Sequence, residues 1–171
     1  MRRRVVVGVS GGTGSPTALH RAAAEARARR AQLWVVLAWR APGGAPGSRT
    51  AWADALYPGY RAAAVERLRQ ALDRAVGAAG PGVDLRGQAV RGTPGAVLVD
   101  AVRDGDDLLV VGAGTRRGPL GPLRPSVARY CLAHAPCPVL TVPPGPLRAP
   151  LDAVRRRGTW HLPPDARELT E

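Results

Sequence analysis

The chain has 171 residues, enough for one domain with a real core. Hydrophobic residues make up 45% and aromatics 4%, with no Phe, so the core has to be built from Ala, Val and Leu, which suit tight helix-on-sheet packing. The formal net charge is +12, and every basic residue counted is Arg. The absence of Lys excludes a Walker A loop, whose Lys must reach the β and γ phosphates.

A basic balance attracts polyanions through long-range fields. Here Arg61, Arg67, Arg69 and Arg74 are spread along the faces of one expected helix, with no recognition helix, zinc finger or aromatic RNA-binding motif beside them. Specific nucleic-acid recognition is therefore not expected. Cys131 and Cys137 are too few for a disulfide scaffold. The apolar run after Met1-Arg2-Arg3-Arg4 is broken at Gly8 and is too short for a signal segment. No later segment reads as a membrane span, and the expected location is the cytoplasm.

In chain order, Val5 to Val9 is a β-branched run with both faces apolar, as a central parallel strand requires. The turn Ser10-Gly11-Gly12-Thr13-Gly14-Ser15-Pro16 follows, with Ser15 as helix cap and Pro16 in the first helical position. A helix from Thr17 to Arg30 puts Ala18, Leu19, Ala22, Ala23 and Ala26 on one face and the pairable Arg21, Glu25 and Arg29 on another. Leu33 to Ala38 is a second buried strand. Trp39 to Gly59, rich in Pro and Gly, reads as a loop. A helix from Tyr60 to Ala79 carries an apolar stripe of Val65, Leu68, Leu72, Ala75 and Ala79, and Gly80-Pro81-Gly82 stops it.

Val83 to Val90 alternates, as a strand near a sheet edge does. Pro94 opens a helix that runs through Ala96 to Val102 and ends before the Asp104-Gly105-Asp106-Asp107 turn. Leu108 to Gly112 is the most apolar strand. A Gly/Arg/Pro loop spans Ala113 to Pro125, Ser126 starts a short helix to about Ala133, and Pro138 to Val142 is the last strand. Strands alternating with helices imply right-handed crossovers and a doubly wound, open, five-stranded parallel sheet with helices on both faces. Ligands of such α/β sheets sit at the carboxyl ends of the strands, beside the switch point, where both glycine-rich loops fall. Residues 1–143 form the expected domain. Residues 144–171, rich in Pro and Arg and including Arg155-Arg156-Arg157, read as a mobile tail.

Three stretches carry a family resemblance. They are Asp107-Leu108-Leu109-Val110-Val111-Gly112-Ala113-Gly114-Thr115-Arg116-Arg117-Gly118, then Ser126-Val127-Ala128-Arg129-Tyr130, then Ala135-Pro136-Cys137-Pro138-Val139-Leu140-Thr141-Val142. Together with Val6-Val7-Gly8-Val9 and Gly92-Thr93-Pro94, this run resembles the universal stress protein family over about residues 4 to 143. The resemblance implies a Rossmann-like, adenine-nucleotide-binding type of fold and a regulatory protein that is not a turnover enzyme, at most a weak ATPase. It implies ATP or another adenine nucleotide as ligand, held by Val9, Ser10, Gly11, Gly12 and Thr13 in the first loop. The second loop contributes Gly112, Ala113, Gly114, Thr115, Arg116 and Arg117, with Ser126 and Val127 behind it, while Ala38 lines the base. It further implies a homodimer through the last strand, Val139, Leu140, Thr141 and Val142, and an unnamed regulatory protein partner.

The family's ATP binders use Gly-x2-Gly-x9-Gly-Ser/Thr, in which glycines admit the phosphates and the hydroxyl residue sits at a helix N-terminus. Laid on this chain, the pattern falls on Gly112, Thr115, Pro125 and Ser126, so two of the three glycines are replaced. Pro125 has no N–H to offer a phosphate. The Asp that ATP binders carry after the first strand is Ser10 here, and a neutral hydroxyl does not balance a metal ion as a carboxylate does. The expected function is therefore dimerisation and partner binding with weakened nucleotide affinity. The alternatives are a competent ATP-binding stress protein, or an ATP-using enzyme with a PP-loop, which Ser10-Gly11-Gly12-Thr13-Gly14-Ser15 resembles except that Gly14 replaces its Asp. A dinucleotide fingerprint is discounted because Thr17 stands at its third glycine and Arg40 where an acid belongs. Cys131, His134 and Cys137 are spaced like metal ligands but lack a fourth, and no metal or catalytic triad is expected.

Overall fold

The computed structural model describes residues 3–10, 15–41, 51–76, 82–113 and 126–145. The elements in chain order are β1 (Arg4–Val9), α1 (Ser15–Arg29), β2 (Gln32–Trp39), α2 (Ala51–Val76), β3 (Leu85–Arg91), α3 (Pro94–Ala101), β4 (Leu108–Gly112), α4 (Val127–His134) and β5 (Val139–Val142). All four strand pairings are parallel and the sheet order is β3-β2-β1-β4-β5. The chain winds from β1 outward to β3, then crosses back to β4 and β5. The switch point lies between β1 and β4.

Alternation along the central strands builds two cores. Val5, Val7, Leu33, Val35, Leu37 and Val110 face α1 and α2, where Leu19, Ala22, Ala26, Ala64 and Leu68 meet them. Val6, Val36, Leu109 and Val111 face α3 and α4, where Val97, Leu98, Ala128 and Cys131 close the other side. The Ala face of α1 is buried as its spacing predicts, and Glu25 takes Arg21 at 2.7 Å and Arg29 at 3.5 Å on the outer face. Small side chains let the helices lie close to the sheet, most tightly at Gly8, where a Cβ would stand 2.6 Å from Leu98 Cδ1.

Two expectations are corrected. Residues 51–59 are helical, not loop, with Pro58 inside α2. Tyr57 and Tyr60 pack against the core and hold this stretch in place despite Pro58 and Gly59, which are exposed. Val65 is 48% exposed, while Ala64, Leu68, Ala71 and Ala75 are buried. The helical stripe is therefore shifted by one position at its start, onto an alanine small enough to touch the sheet. Ala79 lies outside the described residues.

Candidate functional site

The ladder between β1 and β4 ends at Val7–Val110, two residues before either strand ends. Beyond it β1 stays with β2 as far as Val9–Leu37, and β4 stays with β5 as far as Gly112–Val142. The Ala113 amide extends the β4–β5 side by donating to the Val142 carbonyl at 2.8 Å. The two strands therefore part at the switch point, and the crevice between them opens at the carboxyl end of the sheet.

Of the expected ligand residues, Val9 and Ser10 come from one lip of this crevice, Gly112 and Ala113 from the other. Ser126 and Val127 begin α4, which packs behind β4 through Ala128 and Cys131. Val9 is buried in the core under α1 and α2, so it contributes backbone, while Ser10, Gly112 and Ala113 are exposed. Ala38 lies one strand over, half-buried on the α3 and α4 side. Gly11, Gly12, Thr13, Gly114, Thr115, Arg116 and Arg117 lie outside the described residues, as does Pro125.

Gly112 is exposed, and among the described residues a Cβ there would meet nothing within 4 Å. Ser126 has extended backbone (φ −95°, ψ 128°), and its hydroxyl makes no capping bond to its own helix. The first backbone bond of α4 runs from the Tyr130 amide to the Ser126 carbonyl at 3.0 Å. The amides ahead of Tyr130 thus point out of the helix with no side-chain acceptor from the cap, the arrangement that favours an anion. Backbone amides and hydroxyls of this kind are groups that donate to phosphate oxygens. A magnesium ion does not fit them, because Ser10, Gly112 and Ser126 supply no carboxylate and no metal-holding group of three His, Cys, Asp or Glu occurs among the described residues.

Other candidates resolve differently. Cys131 is buried and Cys137 half-buried, both as free thiols. Burial pushes each thiol up, which suits small packed side chains rather than reactive ones. His134 stacks on Tyr130 with ring centroids 4.2 Å apart and does not turn toward a metal site. The last strand, β5, is at the sheet edge, with Val139 and Leu140 half-buried and Thr141 exposed. Beside it α4 exposes Val127, Tyr130 and Leu132.

Sequence reasoning missed Asp107, the one buried charged side chain among the described residues at 2% exposure. Its carboxylate accepts from the amides of Arg4 and Arg103, each at 3.0 Å, and of Asp104 at 3.3 Å. It ties the turn after α3 to the start of β1. The signal available was an acid closing a Gly-containing turn just before a strand.

The family model described as "Universal stress protein family" matches residues 1–143. A crystal structure of a universal stress protein in complex with cAMP is 30% identical, with a TM-score of 0.61, covering 84% of this chain and 98% of that one. Universal stress protein UspA from Lactobacillus plantarum is 21% identical, with a TM-score of 0.64, covering 83% of this chain and 99% of that one. A universal stress protein family member from Arabidopsis thaliana with AMP bound is 19% identical, with a TM-score of 0.53, covering 89% and 98%. These last two share the fold. None of the curated proteins matches the chain.

Proposed function

The chain belongs to the universal stress protein family, and on that footing we propose that it is a regulatory protein, not a turnover enzyme, which pairs through β5 and holds an adenine nucleotide in the crevice between β1 and β4. The observation that carries the nucleotide reading is the parting of β1 from β4 after Val7–Val110, with the exposed Gly112 on one side and the uncapped start of α4 behind it. The relative solved with cAMP supports the adenine-nucleotide class.

Gly112 and Ala113 lie along the phosphates, Ser126 and the first-turn amides of α4 donate to them, and Ala38 lines the base. Gly11, Gly12, Thr13, Gly114, Thr115, Arg116 and Arg117 complete the two loops. With Ser10 in place of an acid, the site holds a nucleotide without a divalent ion, and it favours ligands with few phosphates over magnesium-ATP. Pairing through Val139, Leu140, Thr141 and Val142 gives the open edge of β5 a partner strand. This function needs neither an acid at position 10 nor a full set of glycines. Residues 1–143 carry both tasks.

Mass spectrometry of small molecules released by denaturing the purified protein tests the reading. Adenosine monophosphates or cyclic nucleotides in the released fraction support it. Copurified ATP with magnesium contradicts the metal-free site.

A further inference from the structure

Arg4, Arg86 and Arg103, distant in sequence, meet near the amino end of the sheet, opposite the nucleotide crevice. Trp34 is half-buried in β2, on the side of the sheet that carries α3. The Arg4 guanidinium lies 4.4 Å from its ring centroid and that of Arg103 lies 6.0 Å away. Arg86 is the register partner of Trp34 in β3 and is exposed, as is Gln88 beyond it. The α3 helix thus leaves this corner of the sheet uncovered. The indole N–H donates to Gln32 Oε1 at 2.6 Å, and Gln32 Nε2 donates to Asp84 Oδ2 at 2.6 Å, which fixes the ring's orientation. Around the edge from Gln32 runs a groove of about 340 Å³, lined also by Arg27 and Arg30 at the end of α1.

Acids stand here too. Asp84 lies 4.0 Å from Arg86, Asp107 is buried on backbone amides, and Asp100, Asp104 and Asp106 are exposed. Bulk charge at this corner is therefore modest. Its distinctive feature is an aromatic ring beneath the Arg4 guanidinium with that of Arg103 at 6.0 Å, next to a groove that Arg27, Arg30 and Asp84 line. Such layers accept the π-face of an unpaired base while the neighbouring forks take phosphate oxygens. A duplex hides its base faces, and an acidic peptide brings none.

We propose that this corner, Trp34 with Arg4, Arg86 and Arg103 and the adjoining Arg27–Arg30 groove, is a platform for single-stranded nucleic acid, bound without sequence readout. It is independent of the nucleotide crevice. The test is fluorescence anisotropy with a labelled, mixed-sequence single-stranded DNA of about 12 nucleotides, a length such grooves accommodate. The wild type is compared with Trp34→Leu and with the pair Arg4→Gln and Arg103→Gln. The control is the pair Arg67→Gln and Arg69→Gln, exposed on α2, which removes the same charge elsewhere. Thermal melts establish that each variant is folded, and the arginine pair decides the matter if Trp34→Leu is not. The platform predicts affinity about tenfold weaker in the corner variants, little change in the control, and poor competition by duplex DNA of the same length. Absence of binding by the wild type at about 50 mM salt, an equal loss in the control, or duplex competing as well as single strand would each overturn it.

Discussion

Three backbone amides converge on the Asp107 carboxylate inside a region that water does not reach. Asp107→Ala leaves them without an acceptor, and the expected loss is about 3 kcal/mol, read as a lower urea midpoint. Asp107→Asn keeps one oxygen and loses less. A loss below about 1 kcal/mol for the alanine variant would mean that the turn finds other acceptors. At the end of α1, Arg30 adopts φ 50°, its amide reaching Arg27 at 3.1 Å while the Ala31 amide reaches Ala26 at 2.9 Å. This is the turn that glycine closes most readily. Arg30→Gly should therefore stabilise the fold by about 1 kcal/mol, a rise of about 3 °C in Tm, and a fall in Tm would contradict the assignment. Burial, and secondly the neighbouring Cys137, hold the Cys131 thiol above the usual range. Burial first raises Cys137 as well, partly opposed by the Leu109 amide and reinforced by Asp107. The unfolded chain therefore releases these protons first. The stability they contribute is full below the usual thiol range and is lost as pH rises through it and beyond. Denaturant titrations across that window should show a decline that flattens in a variant with both Cys131→Ala and Cys137→Ala; an unchanged slope in the variant would contradict the assignment.

Among the elements, β1, β2, β4 and β5 were legible as short apolar runs closed by turns and β3 as an alternating one, and the two cores follow from period-2 alternation. The α2 helix was read less well. Pro58 and Gly59 argue against helix locally, and only contacts made in the fold reverse that: the Trp39 and Tyr57 rings meet edge to face at 6.1 Å, and Arg91 lies 4.1 Å over Tyr57. Such contacts join residues distant in the chain, so no local pattern announces them. The same holds for Gly95, which α3 presses against α4: a Cβ there would stand 2.6 Å from Tyr130 Cδ1 and 2.8 Å from Cγ. Gly95→Ala should displace Tyr130, break its stack on His134 and cost about 2 kcal/mol by denaturant titration. At the other end of the sheet, Thr141 is exposed on β5. Placed across a two-fold from its own copy, Thr141→Asp sets like charges face to face. Sedimentation velocity should then show a dimeric wild type and a monomeric variant, whereas a monomeric wild type would remove pairing through β5 from the proposal.

For the molecule as a whole, the doubly wound order puts the switch point between β1 and β4, and the crevice is the consequence of two strands leaving a shared ladder in opposite directions. That much could be anticipated from the alternation of strands and helices and from the glycine-rich loops after Val9 and after Val111. Position alone could not say that Ser126 leaves its helix uncapped, since that depends on how α4 settles against β4. The long-range tie of Asp107 to Arg4 and the gathering of arginines around Trp34 are likewise products of the closed sheet. The proposed site holds an adenine nucleotide in this crevice without a metal. Calorimetric titration with AMP and with ATP, each in excess chelator and again in magnesium, tests it most directly. A metal-free site binds AMP in chelator with an affinity that magnesium leaves unchanged, and the ion does not tighten ATP. ATP affinity that rises about tenfold or more with magnesium, or no binding heat from either nucleotide at high concentration, would contradict it.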